Sequence, residues 1–483
     1  MDLSSLLFLF LFLPLFLLIY LVSSPSLRLP VVLAASLVFL ALGQPAALVW
    51  LSGILLATYA LGRALAAARQ HGASGKAWLF AGIAANVAAL ALFKFLTAYG
   101  DGGFAWLRLP AGWLSPATSL VVPLGLSYVT LQAIAYLVDL WRSRMPVETN
   151  FLSLAAYLLF FPKVGSGPLA RYQPFAEQLA ALKPSWEDMA AGCRRLLAGF
   201  IKRTLIANQL ALVANAAFNQ PKPNLEPRFA WLALGAFTLQ LFFDFSGYTD
   251  MALGLGMLIG IRLPENFNDP YIAQSLSDFW RRWHMSLGAW FRDYVFYPLE
   301  RRRLKWAGQP VNLVLLFVLI GLWHGFKPTF VAWGLLFGLT LALESAGWGR
   351  RLKAIWRPLR HAYTLLIVLA GWVLFRSNDL RFALGFFQRL AGSTAGLTRL
   401  PFSQTTPLPF IEPSFVLVAL AGIILCLPLA PVWQRLRAAL AQRRPALFLA
   451  LQPVQDVLLV ALFVLGLAAL LSGTFAPNIY AKF

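Results

Sequence analysis

The stretch LSSLLFLFLFLPLFLLIYLV, residues 3–22, carries twenty residues without a single charge. A helix of ~20 apolar residues, rising ~1.5 Å each, matches the ~30 Å hydrocarbon layer of a bilayer. The only charge before it is Asp2; no basic segment leads into it and no small-residue cleavage site follows. The run therefore reads as a retained membrane helix rather than a secretory signal.

The remainder of the chain repeats that character. Of 483 residues, 59% are apolar and 12% charged, and the mean hydropathy is +0.70. Soluble domains average roughly 45–50% apolar and about 25% charged. At ~20 residues per span the apolar total sets a ceiling of about fourteen crossings. A disulfide scaffold, a disordered chain and a nucleic-acid domain are all excluded. Forty Lys+Arg against nineteen Asp+Glu give a net charge of +21. In a soluble protein that excess would point to nucleic acid. Here the basic residues lie between apolar runs, where they mark the cytoplasmic face of a membrane. Cys193 and Cys426 are far apart and support neither a disulfide framework nor a metal site.

Six basic clusters set the topology. They are Arg63/Arg69/Lys76, Arg142/Arg144, Arg194/Arg195/Lys202/Arg203, Arg301–Arg303 with Lys305, Arg350/Arg351/Lys353/Arg357/Arg360 and Arg435/Arg437/Arg443/Arg444. The positive-inside rule places all six in the cytoplasm, so even numbers of crossings separate them. A hairpin broken at Gly43-Gln44-Pro45 lies between Arg28 and the first cluster, and spans at 77–98 and 118–139 fill the interval between the first and second. Spans at 205–218 and 229–243 flank a Pro-rich loop, and 362–375, 414–433 and 455–473 complete the set. Counting back from Arg28, the N-terminus then lies outside the cytoplasm. The loop 376–412, with Arg376, Arg381, Arg389 and Arg399, is not a simple external one. Phe151–Pro162 is apolar but too short to span, and it runs into Lys163-Val164-Gly165-Ser166-Gly167-Pro168, a pattern for re-entrant structure. The expectation is one all-α polytopic domain over residues 1–483, with eleven or twelve spans plus re-entrant and interfacial helices.

Two histidines carry the candidate chemistry. Residues 277–293 predict one amphipathic helix, with Ser277 as N-cap and Asp278 in its first turn. Trp280, His284, Leu287 and Phe291 share its apolar face. A helix lying on the cytoplasmic surface, with His284 bonded inside it, accounts for that pattern without catalysis. His324 follows the apolar run Val311–Ile320 in Gly321-Leu322-Trp323-His324-Gly325. Thirteen residues rise about 20 Å, carrying His324 deep into the membrane, where an ionisable group marks a functional site. Gly321 and Gly325 permit close backbone approach. A buried imidazole suits acyl transfer, since it takes a proton from an attacking hydroxyl near neutral pH; a neutral histidine bonded to a neighbouring helix is the structural alternative. His71 and His361 read as unassigned loop residues. Asp244 and Asp250, at the end of an apolar run, either line a pathway or pair with Arg262 or a backbone amide at a helix break. Gly254, Gly256 and Gly260 read as small-residue helix packing. No metal-ligand spacing, phosphate-cradling loop or Gly-x-Ser-x-Gly elbow is present.

FFDFSGYTDMALGLG at 242–256, ENFNDPYIAQSLSDFWRRWHMSLGAWFRDYVFYPL at 265–299 and VNLVLLFVLIGLWHG at 311–325 together resemble the membrane-bound O-acyltransferase family, in its alginate O-acetylation branch. FPKVGSGPLARY at 161–172 and GWVLFRS at 371–377 are weaker echoes. Phe326-Lys327-Pro328 and Glu300-Arg301-Arg302-Arg303 depart from the branch's usual residues. The resemblance implies helices around a funnel or tunnel, with His324 as the catalytic histidine, either general base or transient acyl carrier. It places His284 on the cytoplasmic side, where a thioester donor, acetyl-CoA, would dock. It implies an inner-membrane enzyme that O-acetylates an exopolysaccharide without a permanently bound cofactor or metal. Its partners would be a periplasmic or membrane-attached acetyltransferase, the polymer synthesis and export machinery and membrane lipid, with no nucleic acid. D-alanyl or another acyl transfer to a cell-envelope polymer would share both histidines. A transporter without chemistry would depend on Asp244 and Asp250 instead.

Overall fold

The computed structural model describes residues 1–99, 122–301, 308–397 and 412–472. Every regular element among them is helical. In lipid that is the expected outcome, because a helix satisfies its own backbone polar groups. Among the described residues eight helices are long and apolar enough to cross a bilayer, from Pro25–Gly43 to Pro445–Leu471. Phe8–Val22, Leu126–Trp141, Gly308–His324 and Pro413–Leu425 are shorter apolar helices. The protein is a multi-pass helical membrane protein; eight of its described helices reach spanning length, against the eleven or twelve crossings expected.

Several boundaries differ from the sequence expectation. The basic cluster Arg194, Arg195, Lys202 and Arg203 does not form a loop. It lies within one continuous helical rod, Trp186–Phe218, whose middle, Lys202–Ala207, is a wide π turn. The 229–243 span continues unbroken through both aspartates as Pro227–Leu258. The 414–433 span stops at Leu425, and a separate helix, Leu429–Arg443, follows Pro428. Residues 118–121 of the 118–139 span lie outside the described residues; the helix there is Leu126–Trp141. Gln44, in an extended conformation between Pro25–Gly43 and Pro45–Gln70, makes the break expected at Gly43-Gln44-Pro45.

Contacts divide the chain into two compact units. The first holds Met1–Cys193 and Met251–Pro264. Its centre is a knot of phenylalanines in which the Phe161 ring lies 5.3 Å from Phe16, 5.4 Å from Phe12 and 5.6 Å from Phe39. The Tyr20 hydroxyl donates to the Ile259 carbonyl at 2.7 Å, tying the two segments of this unit together. Two short helices, Phe151–Leu159 and Phe161–Val164, follow there, and the chain from Leu154 to Val164 is buried. Gly125 must be glycine: its φ is +83° and a Cβ there would meet the Val164 carbonyl oxygen at 2.6 Å. The second unit holds Arg194–Asp250 and the described residues from Glu265 onward. Both candidate histidines belong to it.

Candidate active site

His284 does not sit inside a helix. The expected single helix is two, Leu276–Arg282 and Met285–Phe291, and His284 stands between them at φ 47°, ψ 51°. Left-handed backbone is uncommon outside glycine and collects at functional sites. Local sequence gives no reason for a break; partners distant in sequence impose it. The Asn266 carbonyl accepts the Met285 amide at 2.9 Å, and Asn266 Oδ1 accepts the Ser286 amide at 3.1 Å and hydroxyl at 2.6 Å. The N-cap is Ser275, whose Oγ accepts the Asp278 amide at 3.1 Å, rather than Ser277. Ser277 instead gives its amide and hydroxyl to the Glu344 carboxylate, at 3.0 and 2.7 Å, beside the Leu276 amide at 2.8 Å. His284 is 4% exposed, with its ring 4.7 Å from Phe245. Burial holds its pKa far below the ordinary histidine value, so the ring is neutral at pH 7. Leu276, Phe279, Trp283 and Leu287 are buried as well, so this segment is packed inside its unit rather than laid on a surface.

His324 is the last residue of Gly308–His324, and the chain turns back at once into Pro328–Leu343. Glycines make that hairpin tight. A Cβ on Gly321 would lie 2.3 Å from the Phe330 carbonyl oxygen, and one on Gly334 would lie 2.4 Å from that of Phe317. The backbone approach expected from Gly321 is therefore present. The buried imidazole meets Trp323 at 4.8 Å, Phe375 at 5.0 Å and Trp333 at 5.4 Å between ring centroids.

Aromatic rings link the two histidines. From His324 the contacts run to Trp333, then to Trp280 at 5.7 Å and Phe279 at 5.3 Å. Phe279 stacks on Trp283 at 5.7 Å, Trp283 meets Phe267 at 5.1 Å, and Phe267 meets Phe245 at 5.0 Å, beside His284. Two imidazoles thus share one dry aromatic wall, an environment in which proton transfer is not shorted by bulk water.

The acids serve another purpose. Asp244 and Asp250 lie in mid-helix, and neither pairs with Arg262, which binds Asp188 at 2.8 Å. Arg203, 1% exposed, donates to Asp244 at 3.0 Å. Asp250 is held by Arg195 at 3.0 Å and Lys202 at 2.6 Å, while Arg195 also grips Glu265 at 2.6 Å. The expected pairing is present with different partners, and it ties two long helices together instead of holding a break. Gly256 packs closely, its Cβ position 2.5 Å from the Ile261 carbonyl oxygen, whereas Gly260 ends the helix region at φ +84°. His71 follows Pro45–Gln70 in an exposed turn. His361 is not a loop residue but lies in Arg357–Arg376, with Nδ1 3.2 Å from the Ala273 carbonyl oxygen. Among the described residues no cluster of His, Cys, Asp and Glu could hold a metal. Sequence reasoning missed Asn266 and Glu344. A carboxylate in the apolar run Leu341-Ala342-Leu343-Glu344 was the available signal for the second.

Fold and site define a class: a multi-pass helical membrane protein that buries two histidines in an aromatic core. The model of MBOAT, the membrane-bound O-acyltransferase family, matches residues 125–366, and the chain belongs to that family. It is a membrane acyltransferase. It is 36% identical over 392 residues to a probable alginate O-acetylase of Pseudomonas aeruginosa, covering 81% of this chain and 75% of that protein. A peptidoglycan O-acetyltransferase of Helicobacter pylori is 32% identical over 67% of this chain and 66% of its own. A teichoic acid D-alanyltransferase of Bacillus subtilis is 32% identical over 53% of this chain and 67% of its own.

Proposed function

We propose that the protein moves acetyl groups from acetyl-CoA on the cytoplasmic side of a bacterial inner membrane toward O-acetylation of an extracytoplasmic polysaccharide of the alginate or cellulose type. The observation that carries this reading is His324, buried at the end of an apolar helix on the same aromatic wall as His284. The acceptor oxygen bonds to the thioester carbonyl carbon, the carbon–sulfur bond breaks, and His324 takes the hydroxyl proton and returns it to the departing thiolate. His284, neutral and on the other end of the wall, lies on the donor's side of the path. Acetyl transfer is favoured over D-alanyl transfer because similarity to the alginate acetylase covers 81% of the chain and that to the D-alanyltransferase 53%. A periplasmic or membrane-attached acetyltransferase completes delivery, beside the polymer's synthesis and export machinery, and the N-terminus is periplasmic.

The test is a His324→Ala variant present in the membrane at the abundance of the parent. Loss of acetyl esters from the host polymer, read by mass spectrometry, is the expected result; unchanged acetylation removes the role. The same spectra, with and without the gene, identify the polymer.

A further inference from the structure

A buried hydrogen-bond donor without an acceptor costs free energy, and each such group in a native protein needs a reason, a catalytic role among them. The Pro328–Leu343 helix carries two, one of them on a ring that touches His324. Trp333 is 1% exposed and Thr329 fully buried, yet neither Trp333 Nε1 nor Thr329 Oγ1 has a hydrogen-bond partner among the described residues. They are four residues apart, so both lie on one face of the helix. That face meets the histidine: the Trp333 ring crosses the His324 ring at 78° with centroids 5.4 Å apart, and Phe330, between the two donors, lies 6.1 Å from it. The placement is rigid. Gly321 and Gly334 lock this helix against the one that ends in His324, so the donors and the imidazole keep a fixed relation.

We propose that Trp333 Nε1–H and Thr329 Oγ–H are the donors that hold the acyl carbonyl oxygen at His324. The inference rests on the acyl-transfer reading of that site. When an acceptor hydroxyl adds to the thioester carbon, its proton passes to His324 and negative charge gathers on the former carbonyl oxygen. Two neutral donors fixed in an aromatic, water-poor wall stabilise that oxygen without having to reorganise. As the carbon–sulfur bond breaks, the charge leaves the oxygen for sulfur, which takes the proton back from His324. Both donors lack acceptors at rest because their acceptor exists only while an acyl group is present.

The experiment compares Trp333→Phe, which keeps a ring and removes the N–H, with Thr329→Val, which keeps the shape and removes the hydroxyl. Full-length protein in native membrane vesicles is assayed for acetyl transfer from acetyl-CoA, and detergent-solubilised protein for heat stability. Each variant is expected to lower kcat by about 100- to 1,000-fold, as loss of one such donor does elsewhere, with KM for acetyl-CoA nearly unchanged. Heat stability is expected to hold or rise, since the removed donor had no partner to lose. Parental kcat in either variant, or a fall that only tracks lost folded protein, overturns the proposal; should Trp333→Phe fail to fold, Thr329→Val alone decides. A silent His324→Ala variant would sink the acyl-transfer reading itself, a different outcome from active Trp333→Phe beside dead His324→Ala.

Discussion

His284 pairs a left-handed backbone with a ring cut off from water, and both properties cost stability that its neighbours must supply. The cost shows as pH dependence. Burial lowers the folded pKa to about 3, whereas the unfolded ring titrates near 6.5. Between those values the unfolded chain binds the extra proton, so stability is complete above pH 6.5 and drains away as pH falls toward 3. Heat denaturation of detergent-solubilised protein should therefore drop through this window, and His284→Gln should flatten that part of the profile; an unchanged slope would show that other groups set it. Arg203 poses the opposite problem, a charge almost fully buried and matched to Asp244. Arg203→Ala removes the buried carboxylate's guanidinium and should cost about 3–5 kcal/mol, while Arg203→Met with Asp244→Leu should cost far less. A double-mutant cycle on heat stability measures the difference. Asp244 and Asp250 are thus both held in ion pairs within the fold.

At the scale of elements, the hairpin Gly308–His324 and Pro328–Leu343 depends on hydrogen atoms where side chains would be. A methyl on Gly321 would enter the Phe330 carbonyl oxygen, and backbone cannot swing aside as a flexible side chain can. Gly321→Ala should destabilise by roughly 1–3 kcal/mol and shift His324 enough to reduce transfer. Gly235, in Pro227–Leu258, has open space around its Cβ position, so Gly235→Ala should be neutral or stabilising by up to about 1 kcal/mol. Matched heat-stability curves for the two variants decide it; equal losses would mean the hairpin contact is not what glycine is there for. The break at His284 belongs to the same scale. Spacing alone predicts one continuous helix over residues 277–293, because Trp280, His284, Leu287 and Phe291 recur at helical intervals. Asn266, 20 residues before Ser286, interrupts the helix, and Glu344, 67 residues after Ser277, anchors it; no local pattern encodes such partners.

For the whole molecule, the two cysteines report how the chain is buried. Cys193 is exposed and Cys426 buried, and neither is in a disulfide. A maleimide reagent should modify one thiol in the native protein and the second only after denaturation. A membrane-impermeant reagent should reach Cys193 from the cytoplasmic face, next to Arg194 and Arg195; labelling from the opposite face would invert the proposed orientation.

The apolar runs determined helices in a membrane, because in lipid a backbone must bond to itself and ~20 apolar residues suffice to cross. They also marked His324 and Gly321, which stand out from the apolar run that ends there. Only the tertiary structure decided which charges meet, that Trp186–Phe218 runs straight through a basic cluster expected to be a loop, and that His284 caps a helix rather than riding on one. Those outcomes hang on contacts between residues far apart in the chain. Arg203 is tolerable in an apolar helix only because Asp244 arrives from another, and His284 holds its strained backbone only because Asn266 binds the next turn.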